Sequence, residues 1–102
     1  MISIIGLGDC GCNIAEKFSA HPQYKIYYLN TQGHYSADSK FFEMPEQFHP
    51  EKYEEKCPDL GEFFNDVDDN ILFIVGGSGY ISGCSLRLLH CLRDKKINIM
   101  YI

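Results

Sequence analysis

At 102 residues, with 45% hydrophobic and 14% aromatic side chains, the chain suits one folded domain with one core and excludes a disordered segment. A net charge of −5 argues against nucleic acid as the main partner, and no apolar run approaches the roughly 20 residues needed to span a bilayer. The acidity is uneven: Asp38 to Asp69 holds eleven acids and three lysines, whereas the remainder holds three acids and six Lys or Arg.

Met1–Leu7 is an apolar run with no basic leader, which reads as a core strand and not a signal peptide, so a cytoplasmic location is expected. It passes into the glycine turn Gly6-Leu7-Gly8-Asp9-Cys10-Gly11. Cys12–Ala20 follows as a helix, with Ile14, Ala15 and Phe18 at helical spacing and His21-Pro22 closing it. Tyr24–Asn30, rich in aromatic and β-branched residues, predicts a second strand. Residues 31–58 are polar and broken by Pro45, Pro50 and Pro58; they read as a long surface loop pinned to the body by Phe41, Phe42, Phe48 and Tyr53. Asp59–Val67 is a short helix candidate weakened by Gly61. Asn70–Val75 is a continuously apolar strand expected to be covered on both faces.

A second glycine turn, Gly76-Gly77-Ser78-Gly79-Tyr80-Ile81-Ser82-Gly83, leads into a helix over Ser85–Arg93 with Leu86, Leu89 and Leu92 as its core stripe. Ile97–Ile102 is a last strand, and because the sequence stops within it, residues 1–102 are expected to be the first part of something longer or a truncated relative. Strands alternating with helices imply the α/β class, with a mostly parallel sheet and right-handed crossovers.

The chemistry-bearing features are the two glycine turns. Each ends an apolar strand and opens a helix, so each presents backbone N–H groups to an anion, and both lie in the basic remainder of the chain. The first matches G-x-G-x-x-G, the dinucleotide fingerprint, but the second strand ends in Asn30-Thr31 where an NAD site would place an acid. No G-K-[ST] phosphate loop occurs. The five cysteines lack paired CxxC spacing and read as reduced, small residues; Cys10, Cys12 and Cys84 fall within or beside the turns. His21, His34, His49 and His90 are scattered and form no metal motif, and Ser78, Ser82 and Ser85 lack a hydrolase context.

Gly6-Leu7-Gly8-Asp9-Cys10-Gly11-Cys12-Asn13, then Leu29-Asn30-Thr31, then Gly79-Tyr80-Ile81-Ser82-Gly83-Cys84-Ser85 occur in that order. In this the chain resembles the tubulin/FtsZ family of GTP-binding filament proteins, over essentially its whole length and about the first third of a full member. The resemblance implies the N-terminal part of a GTPase domain: a Rossmann-like three-layer sandwich with GTP or GDP at the C-terminal ends of its strands. Gly8, Asp9, Cys10, Gly11, Cys12 and Asn13 would lie at the phosphates and Asn30 and Thr31 at the rim. Gly79, Ser82, Gly83 and Cys84 would stand in for the family's signature loop. Asp9 is expected to help hold Mg²⁺, since a carboxylate beside phosphates needs a cation between them.

The resemblance also implies self-association into filaments, with hydrolysis completed by an acidic loop from a neighbouring subunit that this chain does not contain, so it carries no catalytic residue of its own. Tyr80, Ile81 and Ser85 depart from the signature glycines. Two other readings therefore stand beside this one: a Rossmann-type NAD- or nucleotide-binding enzyme or sensor, and a structural scaffold that has lost its ligand. A Gly83→Val substitution is expected to remove ligand binding and leave the fold intact.

Overall fold

The computed structural model describes residues 2–31, 40–76 and 80–102. Five strands form one sheet: β1 (Ile2–Leu7), β2 (Tyr24–Asn30), β3 (Lys40–Glu43), β4 (Asn70–Val75) and β5 (Lys96–Tyr101). Their spatial order is β3-β2-β1-β4-β5, and every pairing is parallel. Three helices accompany them: α1 (Gly8–Glu16), α2 (Pro50–Glu55) and α3 (Ser85–Cys91), the last preceded by a 3-10 turn over Tyr80–Cys84. No described helix is long and apolar enough to cross a membrane.

The central strands are apolar because both their faces are covered. On one face Ile4, Ile26, Tyr28 and Ile74 pack with Cys12 and Ala15 of α1. On the other, Ile5, Leu7, Tyr27, Leu29, Ile71, Phe73 and Val75 meet Tyr53, Leu60, Phe64, Ile81, Cys84 and Leu88. The result is the expected α/β sandwich of three layers, with the sheet parallel throughout. Ser3, a polar residue inside β1, is satisfied: its hydroxyl donates to the Asp68 carboxylate and accepts the Asp68 N–H, both at 2.9 Å. The end of α1 is tied down by the Tyr28 hydroxyl, which donates to Glu16 at 2.6 Å.

Several elements differ from the sequence expectations. Helix α1 begins inside the glycine turn and ends at Glu16. The stretch read as a loop over 31–58 contains β3 and α2. Tyr53 and Phe42 do pack against the core, but Phe48 and Phe41 are exposed. Asp59–Val67 forms turns and no helix. There the Asp59 carboxylate takes the Gly61 N–H at 3.0 Å, so a side chain competes for the backbone just where the helix would nucleate. Across the 3-10 turn, α3 and the residue after it, the buried side chains at helical spacing are Ile81, Cys84, Leu88 and Leu92, whereas Leu86 is 71% exposed. β5 stands at the sheet edge with Ile99, Met100 and Tyr101 exposed.

Candidate site at the carboxyl ends of the strands

The chain runs β1 to β2 to β3 toward one edge of the sheet, then returns to β4 and β5 on the other side of β1. That reversal leaves a crevice between β1 and β4 at their carboxyl ends, the position where open parallel sheets take ligands. A cleft of about 310 Å³ occupies it, near the lower limit of small-molecule sites. Leu7 and Gly8 at the end of β1, Asn30 and Thr31 at the end of β2, and Gly76 after β4 line it.

The first turn has a separate reason for each glycine. Gly8 adopts φ +78°, which lets the chain leave β1 and start α1 at once. Gly6 and Gly11 lie where helix meets strand: a Cβ on Gly6 would fall 2.7 Å from the Gly11 carbonyl oxygen, and one on Gly11 would strike the Ile74 carbonyl oxygen. Helix α1 therefore sits directly on β1 and β4. Its start has no side-chain cap, leaving the first-turn N–H groups without an intrahelical partner.

Asp9 occupies that first turn, where a carboxylate complements the helix dipole. The Asn30 carboxamide, almost wholly buried, fixes it: Nδ2 donates to Asp9 Oδ1 at 2.8 Å while its Oδ1 accepts the Thr31 N–H at 2.8 Å. The far wall comes from the 31–58 stretch, which contributes Glu46, Gln47 and Tyr53. There the Tyr53 oxygen accepts the Gln47 N–H at 3.0 Å.

Among the described residues, the two turns meet through Gly76, Tyr80 and Ile81. Cys10 lies against Gly76, and Ile81 packs over Gly8, its Cγ2 being 2.6 Å from where a Cβ on Gly8 would stand. Tyr80 and Ile81 also line the cleft. Ser82 and Gly83 instead line a separate cavity of about 360 Å³ beside Leu86, Ile99 and Tyr101. Cys84 is buried in the core, its thiol donating to the Ile81 carbonyl at 3.1 Å.

Of the other anticipated residues, Gly8, Asp9, Cys10, Asn30 and Thr31 line the cleft. Gly11 is held against β4, and the Cys12 thiol points into the sheet toward the Gly6 and Leu29 carbonyls. Asn13 is exposed on α1, and Gly79 lies outside the described residues. Glu46 and Gln47 were not legible from sequence: they sit between prolines in a stretch without periodicity, and only the placement of β3 brings them to the cleft.

The electrostatics differ from the basic surroundings that charge distribution suggested. Among the described lining residues there are two carboxylates, Asp9 and Glu46, and no Lys, Arg or His. A polyphosphate there would need a divalent cation between itself and Asp9. The donor set suits Mg²⁺ in that role, because Mg²⁺ takes one or two carboxylates together with phosphate oxygens and water. Among the described residues no group of three His, Cys, Asp or Glu gathers to hold a metal by itself.

No family model matches the chain, and no curated protein matches it in sequence. Among solved structures, an empty FtsZ dimer from M. jannaschii has a TM-score of 0.65 with 14% identity, covering 98% of this chain. The chain spans 44% of the length of that FtsZ chain, and at such identity the likeness is one of fold. The molecule thus has the Rossmann-like architecture of the N-terminal part of FtsZ.

Proposed function

We propose that this chain is the nucleotide-binding region of a divergent FtsZ-like protein, taking GTP or GDP with Mg²⁺ in the cleft at the ends of β1, β2 and β4. The observation that carries this reading is the convergence, at the strand-order reversal, of an uncapped helix start on Gly8 with Asn30, Thr31 and Gly76. The phosphates would meet the N–H groups of α1, and Asp9 would hold the cation. Guanine preference and assembly into filaments, with hydrolysis between neighbouring copies, are parts of this reading that the resemblance supports. Catalysis of that kind works by positioning water and stabilising charge on the transferred phosphoryl group.

One observation favours a second reading, a scaffold that kept the fold and lost the ligand. Ile81 covers Gly8, the position where a phosphate needs the closest backbone approach. An NAD site gains no support, because Asn30 stands in place of the ribose acid and is engaged by Asp9 and Thr31.

Thermal unfolding with GTP, ATP or NAD, each with Mg²⁺, separates these readings. A ligand at about a hundred times its dissociation constant stabilises by roughly 2.7 kcal/mol. The proposal expects a shift with GTP. A shift with NAD alone would remove it, and no shift with any nucleotide would establish the scaffold.

A further inference from the structure

The missing side chain of Gly8 leaves room over the start of α1, and that room is already filled. Ile81 enters it from the 3-10 turn, its Cγ2 methyl 2.6 Å from where a Gly8 Cβ would stand, and both residues line the cleft. The same side chain is buried in the core cluster that holds Cys84 and Leu88, so it is no loose surface group. Side chains clip the turn that presents it. The Cys84 thiol donates to the Ile81 carbonyl at 3.1 Å, and the Ser85 hydroxyl donates to the Ser82 carbonyl at 2.7 Å.

We propose that Ile81 is a built-in plug that sets the affinity of the cleft: it occupies the place of closest phosphate approach, and a nucleotide binds by displacing it. The inference rests on the nucleotide reading and adds the contact that regulates the site. A phosphate oxygen bonded to an N–H of α1 must come within about 3 Å of the nitrogen, which requires the space over Gly8. The methyl in that space offers neither charge nor hydrogen bond, so an anion pressed against it loses water without compensation.

Helix geometry supplies a route for the displacement. A 3-10 turn advances about 120° per residue and an α-helix about 100°. Extending α3 backwards through the turn therefore rotates Ile81 by about 80° relative to Ser85 and draws it back by about 2 Å. In the α form the Ile81 and Ser82 carbonyls accept from backbone N–H groups four residues on, so the two side-chain clips are replaced rather than simply lost. Gly83 is seated against the Pro50 backbone, so the movement is passed to α2, whose Tyr53 also lines the cleft. Withdrawal from the core weakens binding in proportion: the apparent dissociation constant is the intrinsic one divided by the fraction of molecules with Ile81 withdrawn.

Ile81→Ala removes the Cγ2 methyl, and Ile81→Val keeps it. Wild type and both variants, as full chains checked by far-UV circular dichroism, are titrated with the fluorescent nucleotide mant-GTP and Mg²⁺. The Ala variant should bind about tenfold or more tightly than wild type, and the Val variant within about twofold of it. An Ala variant that folds and binds no better than wild type would overturn the plug while leaving the nucleotide reading in place. If none of the three proteins binds, the nucleotide reading itself falls, and the plug with it.

Hydrogen exchange on wild type needs no variant to fold. Saturating GTP with Mg²⁺ should slow exchange at the start of α1 and speed it over the 3-10 turn, Tyr80–Cys84. Protection at α1 with the turn unchanged would also overturn the plug.

Discussion

A side chain on Gly83 would strike the Pro50 carbonyl and the backbone behind it, and neither can yield without moving α2. The expectation that Gly83→Val would spare the fold therefore gives way. Even Gly83→Ala should cost about 1–3 kcal/mol, seen as a lower urea midpoint at unchanged slope. Asp66 shows the opposite kind of constraint, an exposed charge that pins a turn. Its carboxylate accepts from Lys40 at 2.8 Å and from the Tyr27 hydroxyl at 3.0 Å, while its carbonyl accepts from Lys25. Chiefly the Lys40 hydrogen bond holds Asp66 below the usual carboxylate range. With the folded value depressed, the stabilisation is present above the unfolded value near pH 4 and fades as pH falls through the folded one. The pair is nearly half exposed, so Asp66→Asn should cost no more than about 1 kcal/mol at pH 7. That difference from wild type should shrink in urea titrations as pH falls below the ordinary carboxylate range.

Helix α3 separates what periodicity can say from what it cannot. A leucine every three residues marks Leu86, Leu89 and Leu92 as a stripe; Leu92 is in the core and Leu89 packs against it, but the centre of the contact is Ile81, Cys84 and Leu88, and Leu86 is exposed. The 3-10 turn ahead of the helix sets the phase, and nothing in the leucine spacing records it. Leu88→Ala should cost about 2–5 kcal/mol, since the side chain is fully buried, whereas Leu86→Ala should stay within about 0.5 kcal/mol in the same urea titration. Equal losses would restore the leucine stripe.

β1, β2 and β4 were legible because runs such as Ile71–Val75 are apolar enough to be buried on both faces, β5 because Ile97–Ile102 is an apolar run although the sheet edge leaves it exposed, and the first turn because G-x-G-x-x-G has one geometry between strand and helix. β3 was not: Lys40–Glu43 has no alternation worth reading, and its strand conformation comes from hydrogen bonding to β2. Of the site, Gly8, Asp9, Cys10, Asn30 and Thr31 lie at element ends, where sequence position and spatial position coincide. Glu46 and Gln47 reach the cleft only through the tertiary path of the segment that bears them.

At the scale of the whole molecule, the deciding quantity is the sign of the field in the cleft. The chain concentrates its acids in 38–69, and the fold brings one of them, Glu46, to the lining of the cleft that Asp9 also lines. The dipole of α1 favours an anion; two carboxylates oppose one. For a nucleotide triphosphate the repulsion prevails unless Mg²⁺ stands between, because two like charges a few ångströms apart near a protein surface outweigh the roughly half-unit charge of a helix end. Nucleotide stabilisation should therefore appear only with Mg²⁺ and disappear with EDTA. Asp9→Asn then discriminates between two roles for this residue. If Asp9 holds the cation, the variant loses the Mg²⁺-dependent thermal shift, while the hydrogen bond from Asn30 can be kept by the new amide oxygen and the fold survives. If Asp9 only caps the helix dipole, the variant binds nucleotide better without Mg²⁺ than wild type does, and it loses about 0.3–1 kcal/mol of intrinsic stability. Thermal unfolding of both proteins with GTP, with and without Mg²⁺, reads the two outcomes as shifts of opposite sign.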